Sequence, residues 1–210
     1  DMQKYTINSL ECYGTPETVE ADANDNFDKI VEIIMMLMED ENPDPAIRGQ
    51  LYNQLMSWII YRANGQGMYS ANPEMEPTLA NRILANTEHQ TYPTLQDFIP
   101  ELQSMVASER KKGEDAGKRA EMILNAVRTS SRRFPKVFNA KTNIPDSLTK
   151  NDRNIYYDLS GLGGSKMIKG AMFLNVLSYV TNRAAPGDMI VIHGLDRVKV
   201  KPEILKSYRD

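Results

Sequence analysis

The sequence Asn-Ile-Tyr-Tyr-Asp-Leu-Ser-Gly-Leu-Gly-Gly-Ser-Lys occupies residues 154–166, and Asp-Met-Ile-Val-Ile-His-Gly-Leu-Asp occupies residues 188–196. The first stretch opens with strand-forming residues, and the second contains the continuous apolar run 189–192, which is typical of a strand covered on both faces. Between them, apolar residues recur at helical spacing across about 166–183. A strand, a helix and a strand within about forty residues predict a crossover unit with two parallel strands.

The rest of the chain divides into regions with different patterns. Residues 5–13 predict a short strand, an acidic linker follows at 17–26, and residues after 132 read as an extended connector. Residues 27–131 carry apolar residues at helical spacing in five segments, near 27–39, 45–62, 78–88, 95–106 and 120–130. We therefore predict an α/β fold with a parallel-sheet core formed by 1–26 and 132–210, and an all-helical insertion at 27–131.

Three local signals refine the helical insertion. Thr94 and Asp97 have the spacing of a capping box at a helix start. Pro100 lies inside the apolar pattern that follows, and it predicts a kink or a helix restart. The charged stretch 108–118 contains Gly113 and Gly117 and predicts a turn.

Composition excludes several classes of protein. The chain has 210 residues, 41% hydrophobic content and a net charge of −3, so it can bury a sizeable core and has no global basic field that would recruit nucleic acid. The single cysteine, Cys12, cannot form an internal disulfide, which fits a reducing compartment. The apolar runs are too short to span a bilayer. The chain begins with Asp1 and ends in charged residues, from which we expect an excised part of a larger protein.

A glycine loop links the first predicted strand to its helix. Its candidate phosphate-binding residues are Gly161, Gly163, Gly164, Ser165 and Lys166. Backbone N–H groups at a helix N-terminus suit phosphate binding, but the spacing is neither that of a Walker A loop nor that of a dinucleotide fingerprint. The alternative interpretation is a tight turn between strand and helix.

The second predicted strand has the form of a Walker B strand. Such strands end in two acids that serve magnesium and the attacking water. His193 and Gly194 occupy those two positions here, and neither can do that work at neutral pH. Asp158 and Asp196 are the candidate supporting acids, one beside the glycine loop and one beyond the strand.

The remaining polar residues predict no metal site, nucleophile or nucleic-acid surface. His89 and His193 are the only histidines, and no Cys, His or carboxylate cluster has metal-ligand spacing. Cys12 has no histidine beside it in sequence to act as its base. Basic residues at 111–119 and 128–133 could contact phosphates, but their acidic neighbours favour a solvated surface, so nucleic acid is not indicated.

Taken in order, these features resemble the VirB/TraC-type ATPases of type IV secretion and conjugation, in the FtsK/HerA branch of P-loop motor proteins. The resemblance rests on Ile-Tyr-Tyr-Asp-Leu-Ser-Gly-Leu at 155–162, Phe-Leu-Asn-Val-Leu-Ser-Tyr-Val at 173–180, the apolar strand before His193, the strand at 5–13, and Pro-Thr-Leu-Gln-Asp at 93–97. It covers nearly the whole chain with motifs of moderate specificity.

The resemblance implies a P-loop-ATPase-like core in a ring-forming hexamer at the inner face of the membrane, with ATP and magnesium as cofactors of a complete member and other secretion proteins as partners. This chain departs from that pattern because residues 1–210 hold no Walker A loop and lack the Walker B acids. We therefore expect a cytoplasmic middle fragment that binds no cofactor alone and serves contacts within a ring. The alternative is a small α/β enzyme or binding module for a phosphorylated ligand at 161–166.

Overall fold

The computed structural model describes residues 4–13, 19–59, 92–145, 154–161, 163–206 and 208. Seven α-helices lie in this part of the chain: α1 (Val19–Leu37), α2 (Pro45–Ile59), α3 (Leu95–Lys112), α4 (Glu114–Arg133), α5 (Pro135–Phe138), α6 (Lys166–Thr181) and α7 (Pro202–Lys206). A short 3-10 turn, Leu195–Arg197, precedes α7. The helix predicted at 78–88 lies outside the described residues.

The predicted parallel sheet is wrong. Within the described ranges the structure contains no β-strand, and 155–157, 189–192 and 5–13 all lack strand pairing. A strand exists only when a second segment accepts and donates its backbone hydrogen bonds. The apolar pattern predicted segments capable of pairing, but it carried no information about whether a partner would lie beside them.

The core is built mainly from helices that face one another. α1 packs against α2, α4 and α6, and α3 packs along α4. The helices α1 to α4 direct apolar faces inward, as helical spacing predicts. The buried centre includes Phe27, Ile34, Leu51, Leu55, Trp58, Phe98, Leu102, Ile123, Val127 and Leu174. Side chains from the predicted insertion and from α6 therefore share one hydrophobic cluster.

The capping box at the start of α3 is confirmed. The backbone N–H of Thr94 donates to the Asp97 carboxylate at 2.7 Å. α3 continues through Pro100 without the predicted restart, and it ends only at Lys112. Gly113 alone separates α3 from α4, so the turn predicted across 108–118 is a single residue.

α1 begins at Val19, so most of the stretch predicted as a linker is helical. Asn26 inside α1 ties the preceding segment to the helix: its side-chain oxygen accepts from Tyr13 N–H at 3.1 Å, and its side-chain nitrogen donates to Tyr13 O at 2.7 Å. A side chain that pairs with both backbone groups of one residue takes the place of a strand partner there.

Residues 5–13 pack against 141–144 through mixed contacts. Thr6 N–H donates to the Asn143 side chain at 2.7 Å, and Asn143 N–H donates back to Thr6 O at 3.2 Å. Asn8 N–H donates to the Thr142 hydroxyl at 2.9 Å. Side-chain oxygens thus accept two of these three hydrogen bonds, which is why the pairing is not a ladder.

The helix predicted at 166–183 is confirmed as α6. Ser165 caps it, since its side-chain oxygen accepts from Ile168 N–H at 3.2 Å. Its sequence is apolar on nearly all sides, as expected of a helix with neighbours on several faces. α1 covers one face, and the segments at 155–160 and 188–198 lie beside another.

Candidate functional site

The structure brings most of the candidate site residues to the amino end of α6. Lys166 extends its ammonium group to the backbone carbonyl of Asp196 at 3.3 Å, and Lys199 N–H donates to Lys166 O at 3.0 Å. The glycine loop and the end of the second apolar segment are therefore neighbours.

The glycine loop forms a capped turn. Gly164 has a φ of 110° and lies against the Ile168 side chain. The Ser165 hydroxyl oxygen accepts a hydrogen bond from Ile168 N–H. Gly161, Gly163, Gly164, Ser165 and Lys166 are all exposed at this end of the helix. Backbone N–H groups at a helix start attract anions, but one of them is already satisfied from within the loop.

Asp158 turns the chain into the loop. Its carboxylate accepts from Ser160 N–H at 2.8 Å, and this hydrogen bond, together with a second from the Ser160 side chain, lowers the pKa of Asp158. The carboxylate is exposed and serves its own turn. The hydrogen bond from Ser160 N–H to the Asp158 side chain forms an Asx turn, which accounts for an aspartate at this position.

His193 and Gly194 lie where the second apolar segment ends. Gly194 adopts φ 79° and ψ 34°, a left-handed conformation that favours glycine, and it starts the 3-10 turn. His193 is exposed and lines the same groove as Asp158. A glycine at this position is thus explained by backbone conformation.

A groove of about 900 Å³ runs along α6. Its floor is formed by one face of α6, and its two walls are residues 155–160 and 188–198. The apolar floor residues are Met172, Phe173, Val176, Leu177 and Val180. The volume lies within the range of about 300–1,000 Å³ that is usual for ligand clefts.

Both walls expose apolar side chains that were predicted to be buried. In the second wall the exposed fraction alternates, at 84% for Met189, 40% for Ile190, 78% for Val191 and 41% for Ile192. In the first wall Tyr156 is 84% exposed and Ile155 is 41% exposed. The prediction of a strand covered on both faces is therefore wrong, although the period of two that marks a pleated segment is present.

The central backbone groups of both walls lack backbone partners within the described part of the chain. The groups at 155–157 and 189–193 form no hydrogen bond with another described backbone group. At the ends of the walls, Ser160 N–H is held by Asp158, and Arg197 N–H donates to Gly194 O. The central N–H and C=O groups of each wall are therefore available to pair with another extended segment.

The two walls run in the same direction. Tyr157 lies edge-on to Tyr179 near the carboxyl end of α6, with ring centres 6.3 Å apart, and the first wall then leads to the cap at Ser165. The second wall leaves the carboxyl end of α6 near Ala185 and reaches Lys166 at Asp196. Both walls therefore run from the carboxyl end of α6 toward its amino end, without the hydrogen bonds that would make them a sheet.

A buried polar cluster supports the end of the groove near the carboxyl end of α6. The Arg183 guanidinium lies 4.2 Å from the centre of the Tyr179 ring and 3.8 Å from the Glu11 carboxylate. Lys29 donates to Glu11 O at 2.5 Å, and burial lowers the pKa of its ammonium group. Burial also raises the pKa of Tyr13 well above its ordinary value. These contacts are internal, and they hold residues 11–13 against α1 and α6.

The described residues include no group of three or more His, Cys, Asp or Glu side chains placed to hold a metal ion. Cys12 is buried in the core, where its thiol donates to Leu10 O at 3.5 Å. Among the helices of the described ranges, none combines the length and the apolar content that a bilayer crossing requires. Comparison with protein-family models, with curated proteins and with solved structures finds no match to this chain.

Sequence reasoning found the two segments but missed the groove between them. The uninterrupted run of strand-forming residues at 189–192 indicates only that this segment can be buried. Burial also requires a neighbour on each side, and that depends on residues far away in sequence. The groove is therefore the main feature that the tertiary structure adds.

Proposed function

We propose that this chain is an assembly module of a type IV secretion or conjugation motor, and that it acts through protein–protein contacts. The observation that carries the proposal is the pair of exposed, unpaired apolar segments beside α6. Contiguous exposed apolar surface in a folded protein marks an interaction site. The two carboxylates that line the groove are tied into turns, since Asp158 accepts from Ser160 N–H and Asp188 accepts from Ala185 N–H.

The resemblance to the VirB/TraC-type ATPases supplies the class of assembly. Two features support it: the helix start at 93–97 with its capping box, and the parallel course of 155–160 and 188–198 along α6. A β-sheet within this chain is no part of the proposal. The proposed partners are other secretion proteins and further copies in a ring, at the cytoplasmic face of the membrane.

The proposal assigns ATP and magnesium to a complete family member and none to this chain alone. Residues 1–210 contain no Walker A sequence, and His193 and Gly194 cannot replace the two Walker B acids. Titration of the chain with Mg-ATP in a calorimeter should give no heat of binding. Tight binding would contradict the proposal.

A second experiment addresses the assembly itself. Overproduction of the chain in donor cells that carry a conjugative secretion system should lower the frequency of plasmid transfer, because an incomplete subunit occupies contacts in the ring. Met122→Lys changes a half-exposed residue on α4, away from the groove, and should inhibit equally. Transfer that is unaffected by the chain at any level of expression would argue for a different assembly.

A second candidate function is recognition of a phosphorylated ligand at 161–166. It is favoured by the exposed loop residues and by a first turn of α6 that contains no acidic side chain. Phosphate-bearing ligands would then raise the melting temperature, and Lys166 would contribute to that effect.

A further inference from the structure

We propose that the groove beside α6 receives one extended apolar strand of another polypeptide, which pairs with both walls and completes a parallel three-stranded layer. The inference rests on the proposed function, since it names the kind of partner that the assembly surface takes. Strand addition to an unpaired edge is a recurring mode of peptide recognition, in which backbone hydrogen bonds supply affinity.

The backbone of each wall provides the first argument. Residues 155–157 and 189–193 have no hydrogen bond to another described backbone group, although both segments line one groove. Unpaired N–H and C=O groups along an extended segment form a template for pairing with another chain. An occupant that lies between two such segments satisfies both of them at once.

The shape of the second wall provides the next argument. α6 has 16 residues and is about 24 Å long at a rise of 1.5 Å per residue. The chain from Ala185 to Asp196 returns along α6, and it contains no helix before the 3-10 turn at Leu195–Arg197. Its exposed fractions alternate with a period of two, which is the side-chain pattern of a strand.

The charges of the groove define one end of the occupant. Lys169 and Arg197 line the groove at the amino end of α6, where the Asp158 carboxylate is engaged by Ser160. At the carboxyl end the Arg183 guanidinium and the Asp188 carboxylate both line the groove, and the Asp188 carboxylate accepts from Ala185 N–H at 2.7 Å. A parallel occupant with an apolar centre and an acidic carboxyl end matches this arrangement.

A second copy of the chain does not fit as the inserted strand. If two copies exchanged their 189–192 segments about a two-fold axis perpendicular to the new sheet, the exchanged segments would run antiparallel, because such an axis reverses the direction of a strand. A symmetric pair of copies therefore does not supply a parallel occupant.

The test uses a fluorescent synthetic peptide, acetyl-Lys-Thr-Val-Ile-Val-Thr-Asp-amide, titrated with the full chain and followed by anisotropy. Proline removes a backbone donor, so Val191→Pro and Tyr156→Pro should each weaken binding by about tenfold or more. Val191→Thr and Tyr156→Thr, which keep the donor, should bind within about threefold of the parent chain. Because neither N–H has a described backbone partner, the proline variants should remain folded, as circular dichroism would confirm.

Charge reversal tests the orientation. Arg197→Glu should weaken binding of the peptide that ends in aspartate, and a peptide that ends in lysine should recover it. Hydrogen exchange should show peptide-dependent protection at 155–157 and at 189–193 together. Protection or proline sensitivity at one wall alone would overturn insertion between the walls.

Two further outcomes would also overturn the inference. One is the absence of peptide binding, and the other is concentration-dependent dimerisation of the chain that Val191→Pro abolishes, because it assigns the edge to a second copy. Continued inhibition of plasmid transfer alongside either result would leave the proposed function standing. Binding of Mg-ATP by the isolated chain would instead remove the proposed function itself.

Discussion

A β-carbon on Gly170 would lie 2.5 Å from the carbonyl oxygen of Lys199, so the backbone beyond the second wall crosses α6 where α6 has no side chain. Lys199 N–H donates to Lys166 O one turn earlier on the same helix. These two contacts hold the 3-10 turn against the amino end of α6 and thereby fix one wall of the groove.

Gly170→Ala should therefore destabilise the chain by about 1–3 kcal/mol, because the new methyl group meets backbone that cannot rotate away. Gly49 in α2 is the matched control, since nothing lies within 4 Å of its added β-carbon. Gly49→Ala should stabilise by about 0.5–1 kcal/mol through helix propensity. Urea unfolding of both variants measures the difference, and equal stability of the two would contradict the close crossing.

Val191→Lys should change the free energy of unfolding by less than about 0.5 kcal/mol, because the side chain is 78% exposed. The same substitution in a strand buried on both faces would cost several kcal/mol. Val127→Lys, at a fully buried position of α4, provides the contrast and should prevent stable folding. A large loss of stability in Val191→Lys would show that 189–192 is covered after all.

Stability should fall as pH rises above 10, and Tyr208 should contribute to that fall. Burial raises the pKa of Tyr208 from 10.0 to about 12, with the nearby Asp25 acting in the same direction. Between these pH values the unfolded chain releases a phenolic proton that the folded chain keeps, so unfolding becomes easier as pH rises. Below pH 10 both states keep the proton, and this contribution is fully present.

Tyr208→Phe isolates this contribution. Its free energy of unfolding should depend less steeply on pH between 10 and 12 than that of the parent chain, while the two should run parallel below pH 9. The lowered pKa of Lys29 acts in the opposite direction, but it is common to both proteins and cancels in the comparison. Equal slopes above pH 10 would show that Tyr208 titrates in its ordinary range.

Lys166→Ala separates the assembly function from phosphate recognition. The ammonium group is exposed and donates to Asp196 O, so its removal should change the melting temperature only slightly. If the loop binds no phosphate, a panel of nucleotides and sugar phosphates should leave the melting temperatures of both proteins unchanged. Protection of the parent chain that is lost in Lys166→Ala, but retained in Lys169→Ala, would establish the phosphate site instead.

The helices could be predicted well where the pattern was long. The apolar spacing of α6 and its cap at Ser165 involve residues that are close in sequence. The helix predicted at about 166–183 therefore nearly matches the observed Lys166–Thr181. Thr94 and Asp97 likewise specify the start of α3. The acidic, polar stretch 17–26 predicts a linker, whereas α1 already begins at Val19.

Parts of the candidate site lie together although the sheet that was predicted to join them is absent. Lys166 and Asp196 meet, and Gly194 has the conformation that favours glycine. The exposure of Tyr156, Met189 and Val191 was not predicted, since the sequence shows their tendency to pair and be buried without showing what is available to cover them.

The sequence by itself determined the helices and their caps, because the hydrogen bonds of a helix join residues four apart and need no distant partner. Only the tertiary structure decided the state of 155–157 and 189–192, because the hydrogen bonds of a strand join segments brought together by the whole fold. In this chain the fold places the two segments along α6 and leaves a groove between them.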